Sequence, residues 1–245
     1  FLNKRHNIYE VKNFKFDKKL FNELLKFGIP NGVQFLLDIS VWTIFLLIIG
    51  KLGVIPLTST NISFSINTVA FMPMLGIGTG VSILIGNYIG MDRKEEGEKI
   101  AFIGFWITFI YMLLVAISYI LIPNFYIKFF KPKIYVGNFE EVKKLTRILL
   151  RFVAFYSIFD TMNIIFISAL RGAGDTKFIM KTFLLSSIFL FLIPLYLLIF
   201  LFSADVFTAW IIATLYVIIN GVIFFIRFSK GNWKKVDLLQ KQTIT

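Results

Sequence analysis

Apolar residues gather into six long runs, each about 20 residues or more, the length that crosses ~30 Å of hydrocarbon as a helix. The runs fall at about 30–50, 57–90, 100–122, 148–170, 178–202 and 206–228, with polar, charged stretches between them. None alternates apolar and polar positions with period two, as a membrane β-strand does. Backbone N–H and C=O groups in lipid must pair within their own segment, so the runs predict helices. The expected fold is all-α and integral to the membrane, a bundle of six transmembrane helices over 30–230. Residues 1–29 are expected as a linker ahead of the bundle, and 231–245 as a tail behind it.

Local signals mark the helix ends. Gly90 suits a left-handed cap closing the second helix. Asp92 followed by Glu95 has the spacing of a capping box opening the third. Gly172 and Gly174 break the chain after the fourth, and Asp175 stands where an N-cap for the fifth belongs. Pro73 removes a backbone hydrogen bond within the second run, which predicts either a hinge or a fixed kink there. Within the linker, Phe14–Phe27 interleaves Phe and Leu with Lys at roughly helical spacing. Two readings stay open for it: an amphipathic helix lying on the inner membrane surface, or a linker helix packed on the bundle.

Composition strengthens the membrane reading. Apolar residues are 57% of the chain, 30 of them Phe, and the mean hydropathy is +0.78. Soluble domains are about 45–50% apolar. There is no Cys, and the only His is His6, so thiolate or His-based metal sites and His catalysis are not expected. The net charge of +12 follows membrane topology and not nucleic acid. With the N-terminus inside, 18 of the 26 Lys and Arg lie on the inner side and 8 on the outer. Both ends are therefore expected to face the cytoplasm. The abrupt polar start at Phe1 reads as the middle of a larger protein.

Two carboxylates, Asp38 and Asp160, fall well inside spans. Each costs about 2.5–3.5 kcal/mol at mid-bilayer, so such groups mark a pathway or site. Asn31, Gln34, Asp38 and Trp42 share one helix face; so do Tyr156, Asp160 and Asn163, and so do Thr60, Ser63 and Asn67. Three polar stripes on three helices predict one polar cavity. Interhelical hydrogen bonding, worth ~0.6 kcal/mol per bond on average, is the competing account for Asn31, Thr60 and Ser63. It explains the formal charges of Asp38 and Asp160 poorly. Carboxylate, phenol and amide oxygens suit a hard cation or a proton. Like charges sharing a low-dielectric cavity repel, and a bound cation or shared proton relieves that repulsion.

Three motifs carry a family resemblance. Leu170, Arg171, Gly172, Ala173, Gly174, Asp175, Thr176 and Lys177 resemble the signature after the tenth transmembrane helix of the multidrug and toxic compound extrusion (MATE) family. Gly28, Ile29 and Pro30, with the acid Asp38 eight residues after the proline, resemble its seventh helix. Residues Met72 to Gly80, leading into Gly86, Asn87, Tyr88, Ile89 and Gly90, resemble its eighth. The resemblance implies the C-terminal six-helix half of a twelve-helix antiporter, facing an N-terminal half across a substrate cleft. It implies cation coupling through Asp38, Tyr156 and Asp160, which would also be the sodium ligands in a sodium-coupled protein. The seventh-helix acid is usually Glu in the sodium-coupled branch and is Asp here, so sodium and proton both stay open.

The expected function is then secondary active efflux, exchanging sodium ions or protons for small organic, often cationic, compounds across the cell membrane. No cofactor beyond the coupling ion and no nucleic acid partner are expected. Asn31, Gln34, Asn67 and Asn163 are candidate cavity-lining residues, and Pro73 a candidate hinge. Arg171 and Lys177 are read as holding the inner turn on the cytoplasmic side. A flippase for lipid-linked oligosaccharides, from the same superfamily, is the alternative; it would call for a strongly basic cavity. A membrane enzyme lacks its catalytic motifs, with neither HExxH nor GxSxG present. A non-transporting subunit leaves the two intramembrane acids unexplained.

Overall fold

A computed structural model describes residues 16–130 and 139–235. Among the described residues, six helices are long and apolar enough to cross a membrane. They are α1 (Lys18–Lys51), α2 (Val54–Gly90), α3 (Lys94–Leu121), α5 (Phe139–Gly172), α6 (Thr176–Leu201) and α7 (Val206–Ser229). A short α4 (Pro123–Phe129) follows α3, with Pro123 in its first turn, where a missing N–H costs nothing. A single 3₁₀ turn, Asn232–Lys235, follows α7. No strand occurs among the described residues.

The described residues ahead of Pro30 join the first span directly. From Lys18 the chain is already helix, capped by Asp17 accepting from the Lys19 and Leu20 N–H groups at 2.8 and 3.1 Å. That helix runs unbroken through Pro30 into the span. The apolar spacing of Leu20, Phe21, Leu24 and Leu25 is thus the first turns of α1. Phe14 and Lys15, like His6 and the tail beyond 235, lie outside the described residues.

Two expected caps form differently. Left-handed backbone falls at Asp92 (φ 57°), not Gly90, which stays helical. Asp92 consequently makes no capping box; Arg93 instead pairs with Glu96 at 3.0 Å. Asp175 does precede α6, but it caps no N–H. Its Oδ2 accepts from Arg227 Nε at 2.8 Å, and the Arg227 guanidinium lies over the Phe178 ring, 4.4 Å from its centroid. The α5–α6 turn is thereby tied to the end of α7. Trp233 stacks on Phe228 at 5.1 Å beside it, and Lys234 pairs with Glu98 at the start of α3.

The core is built around α5, which packs against α2, α3 and α7. It is the most buried span although not the most apolar, because its polar side chains face other helices and not lipid. Small residues permit the close approach, as lipid-embedded interfaces require. A Cβ at Gly172 would overlap the Ser82 carbonyl, and one at Gly78 would sit 2.7 Å from Ser168 Oγ. The outward faces carry Leu36, Leu47, Ile103, Trp106, Leu114 and Phe189, all exposed as a lipid-facing surface would be.

Helix α1 packs on α2 and α6 and makes little contact with α5. The space left between α1 and α5 is the cavity described next. Pro73 lies within continuous α2 helix, and the adjacent Ala70 carbonyl accepts the Tyr111 hydroxyl at 3.1 Å. Helix α6 contains two wide π-helical stretches, Ser187–Leu192 and Leu197–Leu201, on either side of Pro194.

Candidate cation site

A cavity of about 460 Å³ opens between α1, α2, α5 and α7. Asp38 and Trp42 line it from α1, Asn67 from α2, Tyr156, Asp160 and Asn163 from α5. The sequence places each group on its wall by helical repeat. Tyr156 and Asp160 are one turn apart, and Asn163 is three residues further on. Both intramembrane carboxylates therefore open onto one space.

Its polar lining includes carboxylate, phenol and amide groups. Asn163 Nδ2 donates to Asp160 Oδ1 at 3.3 Å and to the Val217 carbonyl at 2.9 Å. Asn67 Nδ2 donates to the Tyr156 hydroxyl at 3.4 Å. With their nitrogens engaged, the amides keep their oxygens free: Asn67 Oδ1, Asn163 Oδ1 and Asn220 Oδ1 are buried without a hydrogen-bond partner. Carboxylate, phenol and amide oxygens are what a hard monovalent cation or a proton needs. Among the described residues, no cluster of three or more His, Cys, Asp or Glu exists to hold a transition metal. An aromatic wall of Trp42, Phe64 and Tyr216 completes the cavity.

Gln34, Asn67 and Asn163 line the cavity, but Asn31 does not. It lies one turn before Gln34, toward the start of α1, and its Oδ1 is buried without a partner. Thr60 and Ser63 do not reach the cavity either. Ser63 Oγ donates to the Ser59 carbonyl at 2.8 Å, and Thr60 Oγ1 accepts from Trp210 Nε1 at 3.3 Å. Those two are packing hydrogen bonds.

Arg171 departs most from expectation. Its side chain lines the cavity, where Nη2 donates to Gln34 Oε1 at 2.9 Å. Tyr216 and Asn220 of α7 also line it. They stand at i and i+4, the same one-face spacing that marks Tyr156 and Asp160, but without a charge to draw notice. Tyr216 is fixed by a 3.1 Å contact between its hydroxyl and Ser187 Oγ, in the first wide turn of α6.

Known proteins resemble this chain in sequence and in fold. A chain described as "Probable multidrug resistance protein NorM" from Shewanella oneidensis is 29% identical over 155 residues, covering 63% of this chain and 32% of that one. Its namesake from Thermotoga maritima is 26% identical over 225 residues, covering 91% of this chain and 47% of that one. The chain thus spans 32% and 47% of those relatives' lengths. Among solved structures, a MATE protein in a bent conformation superposes with a TM-score of 0.79 at 14% identity, over 92% of this chain and 49% of that one. A MOP superfamily transporter from Pyrococcus furiosus superposes at 0.68 with 18% identity, over 86% of this chain and 45% of that one. These structures share the fold. The family model MatE matches residues 30–198, more than half of the sequence, and the chain belongs to the MatE family.

Proposed function

We propose that this chain is one half of a secondary active multidrug exporter, and that Asp38, Tyr156 and Asp160 form its coupling site for sodium ions or protons. The observation that carries the reading is the meeting of two intramembrane carboxylates and a phenol on one cavity. The relatives are described as multidrug resistance proteins, and small organic, often cationic, compounds are the cargo proposed for this chain. The partner is an opposing six-helix half of the same transporter, with the bilayer around both.

Coupling requires that the ion bind one conformational state better than the other. Cation binding between α1 and α5 draws together two helices that hardly touch, so it favours a narrowed lobe. Substrate would then leave or enter as the halves rock about the site. Pro73 weakens the backbone of α2 beside the cavity and is the proposed hinge. The excess of Lys and Arg around the start of α1, the α2–α3 and α5–α6 turns and the end of α7 supports a cytoplasmic position for both termini in the cell membrane. A lipid-linked pyrophosphate cargo fits poorly, because the described cavity holds two carboxylates against one guanidinium.

The test is ion-gradient-driven efflux of a fluorescent organic cation from vesicles carrying the whole reading frame that contains this chain. Efflux that follows an imposed sodium or proton gradient supports the reading. Efflux indifferent to both gradients contradicts it.

A further inference from the structure

Two buried amides that line the cavity with Asp160 have no evident use in a site that takes only a proton. Asn220 is 1% exposed and Asn163 is 7% exposed, and both line the cavity. Asn220 Nδ2 donates to the Tyr216 carbonyl at 3.0 Å, and Asn163 Nδ2 to the Val217 carbonyl at 2.9 Å. Carbonyl oxygens only accept, so these bonds fix which end of each amide is nitrogen. The oxygens are then the free ends. Both are buried with no partner in the protein.

The two amides sit on adjacent carbonyls of one turn of α7, one reaching across from α5 and the other from α7 itself. Gly221 makes the crossing possible: a Cβ there would lie 3.0 Å from the Phe159 carbonyl and 3.7 Å from Asn163 Nδ2. Asn163 is further joined to Asp160 Oδ1 at 3.3 Å. Asp160 and both amides therefore share the α5–α7 wall of the cavity, with the amide oxygens closed in against the protein.

A buried acceptor left unpaired costs about 1–3 kcal/mol, so such oxygens persist where something else binds them. A proton shared between carboxylates needs no amide oxygen. A partly dehydrated alkali cation needs several oxygen ligands, neutral ones included. Resting on the coupling site proposed above, we infer that Asn163 and Asn220 are its specificity determinants, lending side-chain oxygens that let Asp160 hold a small alkali metal cation in preference to a proton. Their nitrogens anchor them, so the ligands are held in place before the ion arrives.

The experiment is equilibrium binding of radiolabelled sodium to the purified, whole transporter, with thermal melting on the same samples. The variants are Asn163→Leu, Asn220→Leu, Asn220→Asp and Asp160→Asn. Each Leu variant is expected to weaken sodium binding at least tenfold. Asn220→Asp keeps an oxygen and adds charge, so it is expected to tighten sodium binding at least threefold at pH 8. This variant decides the matter if the Leu forms do not fold. Sodium binding within twofold of the parent in the folded Leu variants, or in Asn220→Asp, would overturn the inference. So would a parent that binds no sodium yet couples to protons, which would leave the coupling site itself standing. Unchanged ion binding and coupling in Asp160→Asn would instead strike the underlying site.

Discussion

Arg171 and Gln34 join across the cavity mouth, guanidinium Nη2 to amide Oε1 at 2.9 Å. The bond holds a fixed positive charge on the wall that Asp38 and Asp160 also line. A fixed cation stabilises the carboxylates when no ion is bound and competes with an arriving one. At a partly hydrated site, such a charge is worth on the order of 1 kcal/mol or more. Arg171→Met is therefore expected to raise apparent cation affinity severalfold. Arg171→Lys keeps the charge and is expected to stay within about twofold of the parent. Cation titrations of intrinsic fluorescence measure both; an unchanged affinity in Arg171→Met contradicts the competition.

Gly172 lets α5 pass against α2 at Ser82, where a Cβ would overlap the carbonyl oxygen. Gly172→Ala is expected to cost about 1–3 kcal/mol, the usual penalty of overpacking. Gly90→Ala, with nothing within 4 Å of the added carbon, is the matched control and should melt like the parent. Thermal melting in detergent separates the two. Equal melting temperatures would show that the helices do not pack as closely as described.

Asp175 and Arg227 clamp the α5–α6 turn to the end of α7 at 2.8 Å, with side chains 8% and 26% exposed. Removing either partner strands the other in a largely buried setting. Asp175→Ala and Arg227→Ala should each lose about 1–3 kcal/mol of stability. The double variant should be little worse than either alone, because both changes break one pair. Efflux per folded molecule should not change in any of them. Fully additive losses would mean that the pair is not an energetic unit.

Helix existence was readable in the sequence because lipid demands long apolar runs, which leave a strong signal. Asp38 and Asp160 were readable because intramembrane charge is costly and rare. Direction was not readable for Arg171. It sits beside a glycine turn, and its long flexible side chain reaches either the headgroups or the cavity with equal sequence support. Tyr216 and Asn220 left a faint signal, an i, i+4 polar pair in α7, that carries no charge. For Thr60 and Ser63, of the two readings left open it is the packing one that is seen. Their spacing matches Asn67, yet short hydroxyl side chains bond nearby buried groups and stay out of the cavity. Asp92 took the left-handed turn from Gly90 because Asp tolerates that backbone, and the helix could therefore run past the glycine.

The central claim is that Asp38 and Asp160 couple transport to an ion, and ion-driven efflux per folded transporter in Asp38→Asn, Asp160→Asn and the double variant tests it most directly. The Asn side chain keeps shape and hydrogen bonding while removing charge, so melting temperatures should stay near the parent's. Each single variant should lose most of its response to sodium or pH gradients, and the double variant should be little worse, since both residues serve one step. Tyr156→Phe, which removes a single oxygen, should weaken the response less. If both Asn variants fold and still drive efflux from the ion gradient at the parent's strength, the cavity between α1 and α5 is not the coupling site.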